Sequence, residues 1–167
     1  MIKEISGLKE IKKGYLENEV YQLYNQTKKT SVNELNYDIN VVNSFLKDSS
    51  EIEQNLLNVQ DVMSELIELN KIKHWGENSS SINIKQEFLK TLTGIYKEFK
   101  QKLNIQGLGT KGMCYSEAVV NLEHYKKANT NKRFFFIGLN ALSKAEEIII
   151  KELIEINSGN IFWDIDS

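Results

Sequence analysis

Apolar side chains recur every three or four residues along most of this chain, the spacing that places them on one face of a helix. Helices separated by short polar segments are predicted over residues 2–28, 31–47, 50–74, 83–104, 116–128 and 131–157. The last residues, 158–167, form a tail outside any predicted helix. The pattern therefore predicts an all-α fold, a five- to six-helix bundle that forms a single domain over residues 1–167.

The stretch over residues 131–157 is the most apolar run in the sequence. Phe135, Leu142 and Ile149 share one face at helical spacing, and further apolar residues occupy a second face, so neighbouring helices are expected to cover most of its sides. Charged residues interrupt the run from Lys144 onward, whereas a membrane-spanning helix needs about 20 nearly uncharged residues. The run is therefore predicted to be the buried central helix of the bundle, and no membrane association is expected.

Local signals predict where several helices begin and end. A serine followed three residues later by glutamate can exchange hydrogen bonds with it at a helix start, and this pattern begins at Ser31 and at Ser50. Glycine weakens a helix interior by about 1 kcal/mol, so a break in the first helix is expected near Gly7 or Gly14. Gly159 follows the last apolar run and is predicted to end it in a left-handed backbone conformation.

The predicted helices 31–47 and 50–74 carry apolar residues at alternating spacings of three and four. In the second helix this stripe consists of Ile52, Leu56, Val59, Met63 and Leu66. A dedicated coiled coil sustains such a repeat for longer. Antiparallel packing inside one bundle is the preferred interpretation, and a homo-oligomer formed through helices 31–74 is the alternative.

The composition of the chain limits which kinds of partner and which cellular compartment are expected. The formal charge is −2 and hydrophobic residues make up 41% of the chain, so neither nucleic acid nor an acidic membrane surface is expected as a partner. Cys114 is the only cysteine, which excludes an internal disulfide and fits a reducing compartment. No secretory signal is recognisable at the N-terminus, and a cytoplasmic location is expected.

The candidate catalytic residues do not form a recognisable set. Cys114 and His124 lie roughly 15 Å apart along one predicted helix, too far for a nucleophile and its base. Neither His74 nor His124 belongs to a spaced metal-binding signature, and the glycines of the segment Gln106–Gly112 lack the spacing of a phosphate-binding loop. No catalytic residue, metal or cofactor is therefore predicted.

Four carboxylates leave one enzymatic alternative open. Glu65 and Glu68 on one predicted helix, with Glu146 and Glu147 on another, could surround magnesium as in helical nucleotide pyrophosphohydrolases. Glu147 belongs by its spacing to the solvent-facing stripe of its helix, whereas that chemistry requires carboxylates on inward faces. A helical metal-dependent nucleotide phosphohydrolase is kept as an alternative function.

The local basic cluster consists of Lys126, Lys127, Lys132 and Arg133. Such a cluster can bind phosphate or an acidic partner protein, or it can be a solvated junction between helices. Arg133 is the only arginine in the chain, whereas proteins that bind nucleic acid generally use several for phosphate contacts. These four residues are predicted to contact a partner protein.

The tail contains the residues that most directly indicate a protein partner. Phe162, Trp163 and Ile165 place large apolar side chains outside any predicted helix, and aromatic anchors dominate the binding energy of many interfaces. These residues are predicted to insert into a groove of another protein. Folding of the tail back onto the bundle is the alternative.

The segment Leu122–Lys151 resembles the first helix pair of the HEPN group, through Lys127-Ala128, Arg133 and the run Ala145-Glu146-Glu147. That group includes abortive-infection proteins and RNA-cleaving toxins, so the resemblance implies a helical RNase or its inactive relative. The catalytic motif of the group places a histidine shortly after an arginine. No histidine follows Arg133 in this chain, and no catalytic residue is carried over.

Taken together, these observations predict a non-enzymatic intracellular module that binds and blocks or escorts another protein. Immunity proteins, antitoxins and phage-encoded inhibitors are examples of this class, and a microbial or mobile-element origin is expected. The HEPN-like RNase and the metal-dependent phosphohydrolase are the alternatives. Mutation of Arg133 in an RNA-cleavage assay distinguishes the first of them.

Overall fold

The computed structural model describes residues 1–28, 39–73, 80–157 and 159–162. The helices in these ranges are α1 (Ile2–Ser6), α2 (Lys13–Lys28), α3 (Ile39–Gln54), α4 (Val59–Lys73), α5 (Ser80–Ile105), α6 (Lys111–Val120), α7 (Leu122–Ala128) and α8 (Lys144–Asn157). The short strands are β1 (Lys9–Glu10), β2 (Leu108–Gly109), β3 (Phe135–Ile137) and β4 (Asn160–Phe162), which form the parallel pairs β1–β2 and β3–β4. The predicted all-α class is confirmed. None of the helices in these ranges has the length and apolar content needed to cross a membrane.

Buried side chains form two clusters, and α6 contributes to both. The first cluster is built mainly by α2, α3, α4 and α5, and it includes Met113 of α6. The second cluster is built by α1, α7, β3 and α8, and it includes Ala118 of α6. Since α6 also packs against α1, α3 and α8, it connects the two clusters.

The predicted helix over residues 131–157 is wrong in its first half. The helix begins only at Lys144, and Phe135–Ile137 form strand β3 instead. Gly138 has a positive φ of 68° directly after the strand, which ends the extended segment in a turn. Consecutive large aromatic side chains also favour a strand over a helix. The second half is helical as predicted; Ala145 is buried, and Ile149 and Leu153 are buried in the second cluster.

Two other predicted boundaries have different outcomes. The break near Gly7 is confirmed, because Gly7 closes α1 in the left-handed conformation and its amide donates to the carbonyl of Lys3. The helix start at Ser50 is wrong, because α3 runs through this position and ends at Gln54. Asn58 instead caps α4, with its side-chain oxygen 2.8 Å from the amide of Gln60. The start predicted at Ser31 lies outside the described residues.

The inward stripe of α4 also differs from its prediction. Val59, Met63 and Ile67 are buried at successive spacings of four, whereas Leu66 is 43% exposed. The predicted stripe assumed one unbroken helix from residue 50. The chain instead turns at Leu56, which has a positive φ of 60°, so a different set of α4 residues faces the core. Val59 and Met63 pack in the first cluster with residues of α3 and α5.

A buried carboxylate joins α6 to α3 and α5. Glu53 on α3 is 3% exposed, and its Oε2 accepts hydrogen bonds from the hydroxyls of Tyr96 (3.1 Å) and Thr110 (3.2 Å). The ammonium of Lys100 lies against the other oxygen, Oε1. Burial and the negative charge of Glu53 both raise the pKa of Tyr96, so its hydroxyl stays protonated and donating. This network fixes the N-terminus of α6.

Gly112 allows α6 to approach α3 this closely. Its amide donates to Oγ of Ser50 at 3.0 Å. A Cβ at this position would lie 2.6 Å from the carbonyl oxygen of Ser50 and 2.7 Å from Oε2 of Glu53. The close packing of the two helices therefore depends on the absence of a side chain at residue 112.

The start of α8 is held by a serine–glutamate pair of the reciprocal capping type. The amide and the hydroxyl of Ser143 each donate to Oε2 of Glu146 at 2.8 Å, and the amide of Glu146 lies 3.4 Å from Oγ of Ser143. Partial burial raises the pKa of Glu146, but the hydrogen bonds from Ser143 and from the Tyr115 hydroxyl outweigh it and the net pKa is lowered. A carboxylate with a lowered folded-state pKa stabilises the fold above its ordinary pKa, and this stabilisation is lost as the pH falls through the folded value.

Replacing Ser143 with alanine is expected to lower the free energy of unfolding by about 1 kcal/mol at pH 7. The loss should be smaller at an acidic pH below the lowered folded-state pKa of Glu146, where protonation weakens the wild-type pair. Urea unfolding at both pH values measures this difference. Ser44→Ala is the control, since the Ser44 hydroxyl only bonds the Asn40 carbonyl on the exposed side of α3. Equal losses for Ser143→Ala at the two pH values would contradict the assigned role of Glu146.

Candidate protein interface

Strands β3 and β4 pair in parallel and form a small two-stranded ribbon. Phe135 lies opposite Asn160, Phe136 opposite Ile161 and Ile137 opposite Phe162. Parallel strands need a crossover connection, and α8 supplies it. The ribbon joins residues that are about 25 positions apart in the chain.

Gly159 lets the second strand start directly beside the first. A Cβ at this position would lie 2.9 Å from the carbonyl oxygen of Phe134, which accepts a hydrogen bond from the amide of Asn160 at 3.1 Å. The predicted left-handed conformation at Gly159 is wrong, since its φ is not positive. The glycine is required by a close approach of two backbone segments.

The two faces of the ribbon have different surroundings. Phe136 is 8% exposed and Ile161 packs beside it in the second cluster. On the opposite face Phe135 is 58% exposed, Ile137 75% and Phe162 52%. We call these last three residues the outer ribbon face. Parallel sheets are normally covered on both faces, so three large apolar side chains on an uncovered face are unusual.

Of the tail residues predicted to bind a partner, Phe162 lies on the outer ribbon face. Trp163 and Ile165 lie outside the described residues. Phe135 and Ile137 were not among the predicted partner-binding residues, because the sequence pattern placed both in a helix. The short run of aromatic and β-branched residues Phe134–Ile137, bounded by Gly138, was the available signal for a strand.

The basic cluster predicted from the sequence does not form one patch. Lys126 is 6% exposed, and its ammonium donates to Glu123 and to Glu152. The bonds to Glu123 and Glu152 raise the pKa of Lys126, and the bond from Lys126 lowers the pKa of the Glu123 carboxyl.

Lys132 also has a partner within the chain. Its ammonium lies 3.1 Å from a carboxylate oxygen of Glu4 and 5.5 Å from the ring centre of Tyr125. The bond to Glu4 is the largest cause of the raised pKa of Lys132. Lys127 and Arg133 are exposed, and Arg133 lies two residues before Phe135 of the outer ribbon face.

The candidate catalytic side chains are also separated. Cys114 is 2% exposed, and burial, together with the nearby Glu10 carboxylate, raises the pKa of its thiol, which disfavours the nucleophilic thiolate. His124 is exposed on α7, as are Glu65 and Glu68 on α4. Over residues 1–28, 39–73, 80–157 and 159–162, no group of three or more His, Cys, Asp or Glu side chains is placed to hold a metal ion.

A cleft of about 440 Å³ lies between α2, α3 and the start of α6. Apolar walls come mainly from Ile11, Leu16 and Leu46. The charged groups at its rim include Glu51, which pairs with Lys47 at 3.8 Å, and Glu10, which pairs with Lys3 at 3.2 Å. These carboxylates already have partners within the chain.

The outer ribbon face is therefore the candidate interface. The resemblance to the HEPN group was to a helix pair over Leu122–Lys151. In the structure the second helix of this segment begins only at Lys144, and strand β3 precedes it. No family model, no curated protein and no solved structure matches this chain.

Proposed function

We propose that this chain is a non-enzymatic module that binds another protein through the outer ribbon face and thereby blocks or escorts it. Immunity proteins, antitoxins and phage-encoded inhibitors are examples of this class of protein. The observation that carries the proposal is the joint exposure of Phe135, Ile137 and Phe162 on one side of the ribbon. Exposed apolar side chains grouped in this way are typical of a protein-binding surface.

The position of this face favours it over other exposed apolar residues. The other exposed large apolar residues in the described part of the chain lie singly or in pairs on helices and turns, namely Met1, Tyr15, Leu56, Leu57, Leu66, Leu69, Ile105 and Val120. Scattered exposure of this kind is normal for a folded protein. The outer ribbon face instead combines two aromatic rings with a β-branched side chain on a paired, hydrogen-bonded support.

Charge supports a protein partner in preference to nucleic acid. Two of the four residues in the basic cluster, Lys126 and Lys132, are already paired with glutamates. Arg133 and Lys127 are exposed, and a nucleic-acid interface usually neutralises more phosphates than two cations can contact. A single exposed arginine beside apolar side chains is a common arrangement at protein interfaces.

The proposal is tested with a charge on the outer ribbon face. Wild-type protein, Ile137→Asp and the control Ile105→Asp are used to capture proteins from the native host, and the captured protein is then purified and titrated by calorimetry. Ile105 is 87% exposed at the end of α5, away from the ribbon, so the two variants introduce the same change on different surfaces. We expect Ile137→Asp to bind at least tenfold more weakly, about 1.4 kcal/mol, and Ile105→Asp to bind as wild type.

Both variants should keep the wild-type circular dichroism spectrum and melting temperature, because each replaces an exposed side chain. Binding that is equally strong in all three proteins would place the partner on another surface and overturn the proposal. Capture of no specific protein by the wild type would overturn it as well.

A further inference from the structure

We infer that the partner contacts this chain with an extended segment that adds to the free edge of β3 and carries an acidic residue facing Arg133. This inference rests on the proposed function and names the form and charge of the partner's contacting segment. Three features of the ribbon carry it: an open backbone edge, a side-chain stripe with one positive charge, and a small apolar area.

The open edge follows from the hydrogen bonds between the two strands. The carbonyl of Phe134 points at β4, because it accepts from the amide of Asn160. Backbone groups of successive residues in a strand point to opposite sides, so the amide and carbonyl groups of Phe135 and Ile137 point away from β4. Within the described part of the chain, no backbone hydrogen bond reaches these groups from outside the ribbon. Such an edge is a template for one more strand.

The side chains beside this edge form a stripe with a defined order. Arg133, Phe135 and Ile137 are all exposed, whereas Phe134 and Phe136 are at least partly buried. No ion pair joins Arg133 to another residue in the described ranges. A strand added at this edge would place its own side chains opposite this stripe at intervals of two residues. Its best complement is a carboxylate opposite Arg133 and apolar side chains opposite Phe135 and Ile137.

A second copy of this chain fits the edge less well than a foreign segment. If two β3 strands paired antiparallel about Phe136, Arg133 would face Leu139 and no carboxylate would be supplied. The outer ribbon face offers roughly 400 Å² of apolar surface, whereas a stable interface buries about 800 Å² per partner. A short extended segment is better suited to so small an area, because backbone hydrogen bonds add to the contacts of its side chains.

The probe for this inference is a displayed library of random ten-residue peptides. It is selected on the wild-type protein after depletion on Ile137→Asp, so that retained peptides depend on the outer ribbon face. We expect their sequences to alternate apolar residues with polar ones and to contain Asp or Glu. Arg133→Glu should weaken a synthetic copy of the best peptide at least tenfold. Lys97→Glu, the matched charge reversal at an exposed residue of α5, should change its affinity less than twofold.

Backbone pairing is then measured with N-methylated versions of that peptide. Methylation of alternate amides should abolish binding, and methylation of the intervening amides, which would face away from β3, should be tolerated. Peptides with apolar residues at helical spacing, or binding insensitive to methylation, would overturn strand addition while leaving the proposed function in place. If depletion on Ile137→Asp removes every peptide that binds the wild-type protein, both proposals fail. Self-association of the wild-type protein that Ile137→Asp abolishes would identify a second copy as the occupant and overturn the inference.

Discussion

Replacing Glu53 with alanine is expected to lower the free energy of unfolding by about 3–5 kcal/mol, since the partners of a buried charge are then left without an acceptor. The hydroxyls of Tyr96 and Thr110 and the ammonium of Lys100 all contact this carboxylate. Glu53 is 3% exposed, so water does not replace the lost acceptor without opening the structure. Guanidinium unfolding at pH 7 measures the change.

The control for Glu53→Ala is Glu51→Ala on the same helix. Glu51 is mostly exposed and pairs with Lys47 at 3.8 Å, so its loss should cost less than about 1 kcal/mol. Adding Tyr96→Phe to Glu53→Ala should restore part of the stability, because it removes one of the hydroxyls left unpaired. Similar losses for Glu53→Ala and Glu51→Ala would show that the buried network does not join α6 to α3.

The second large effect is expected at Gly112. Replacement by alanine should lower the free energy of unfolding by about 3 kcal/mol, because the new Cβ overpacks the contact between α6 and α3. The nearest atoms are the Ser50 carbonyl oxygen at 2.6 Å and the Glu53 carboxylate at 2.7 Å, and the first belongs to helical backbone that moves little.

The same substitution at Gly94 is expected to change the free energy of unfolding in the opposite direction. It lies within α5, and a Cβ there would meet no atom within 4 Å. Gly94→Ala should therefore raise the free energy of unfolding by about 0.5–1 kcal/mol through helix propensity alone. Urea unfolding of both variants tests the pair, and a change of the same sign in both would contradict the close approach at Gly112.

Helices that bury one regular stripe were predictable from this sequence. The helix predicted over residues 83–104 forms as α5, and its Leu92, Tyr96, Phe99 and Leu103 are buried in the first cluster. The prediction required only local spacing, because every residue of the stripe lies in one helix. The same reasoning succeeded for the second half of the apolar C-terminal run, where α8 buries Ile149 and Leu153.

The serine–glutamate pattern shows that a local sequence signal can mark a helix start at one position and not at another. At Ser143 the pattern marks a real helix start, yet the continuous apolar run concealed it. At Ser50 the same pattern lies inside α3, because Ser50 and Glu53 instead contact Gly112 of α6 and Thr110, the residue that caps α6. These partners are 57 and 62 positions away in the chain, so no local pattern could reveal them.

The candidate interface was predicted only in part for the same reason. Phe162 was identified as an exposed aromatic residue, but its neighbours Phe135 and Ile137 come from a segment that was assigned to a helix. A short run of four apolar residues does not distinguish a strand from a buried helix by its period. The distinction comes from pairing with residues 160–162, which lie beyond the whole of α8.

The most direct test of this account is the reactivity of single thiols placed along β3. Cys114, the chain's only native cysteine, is 2% exposed and should give a low background. Phe135→Cys, Phe136→Cys and Ile137→Cys are reacted with a water-soluble disulfide reagent, and circular dichroism checks that each variant keeps its helices. We expect the thiols at 135 and 137 to react at least tenfold faster than the thiol at 136. Equal rates at all three positions, or protection at 135 with rapid reaction at 136, would contradict the strand and the outer ribbon face built on it.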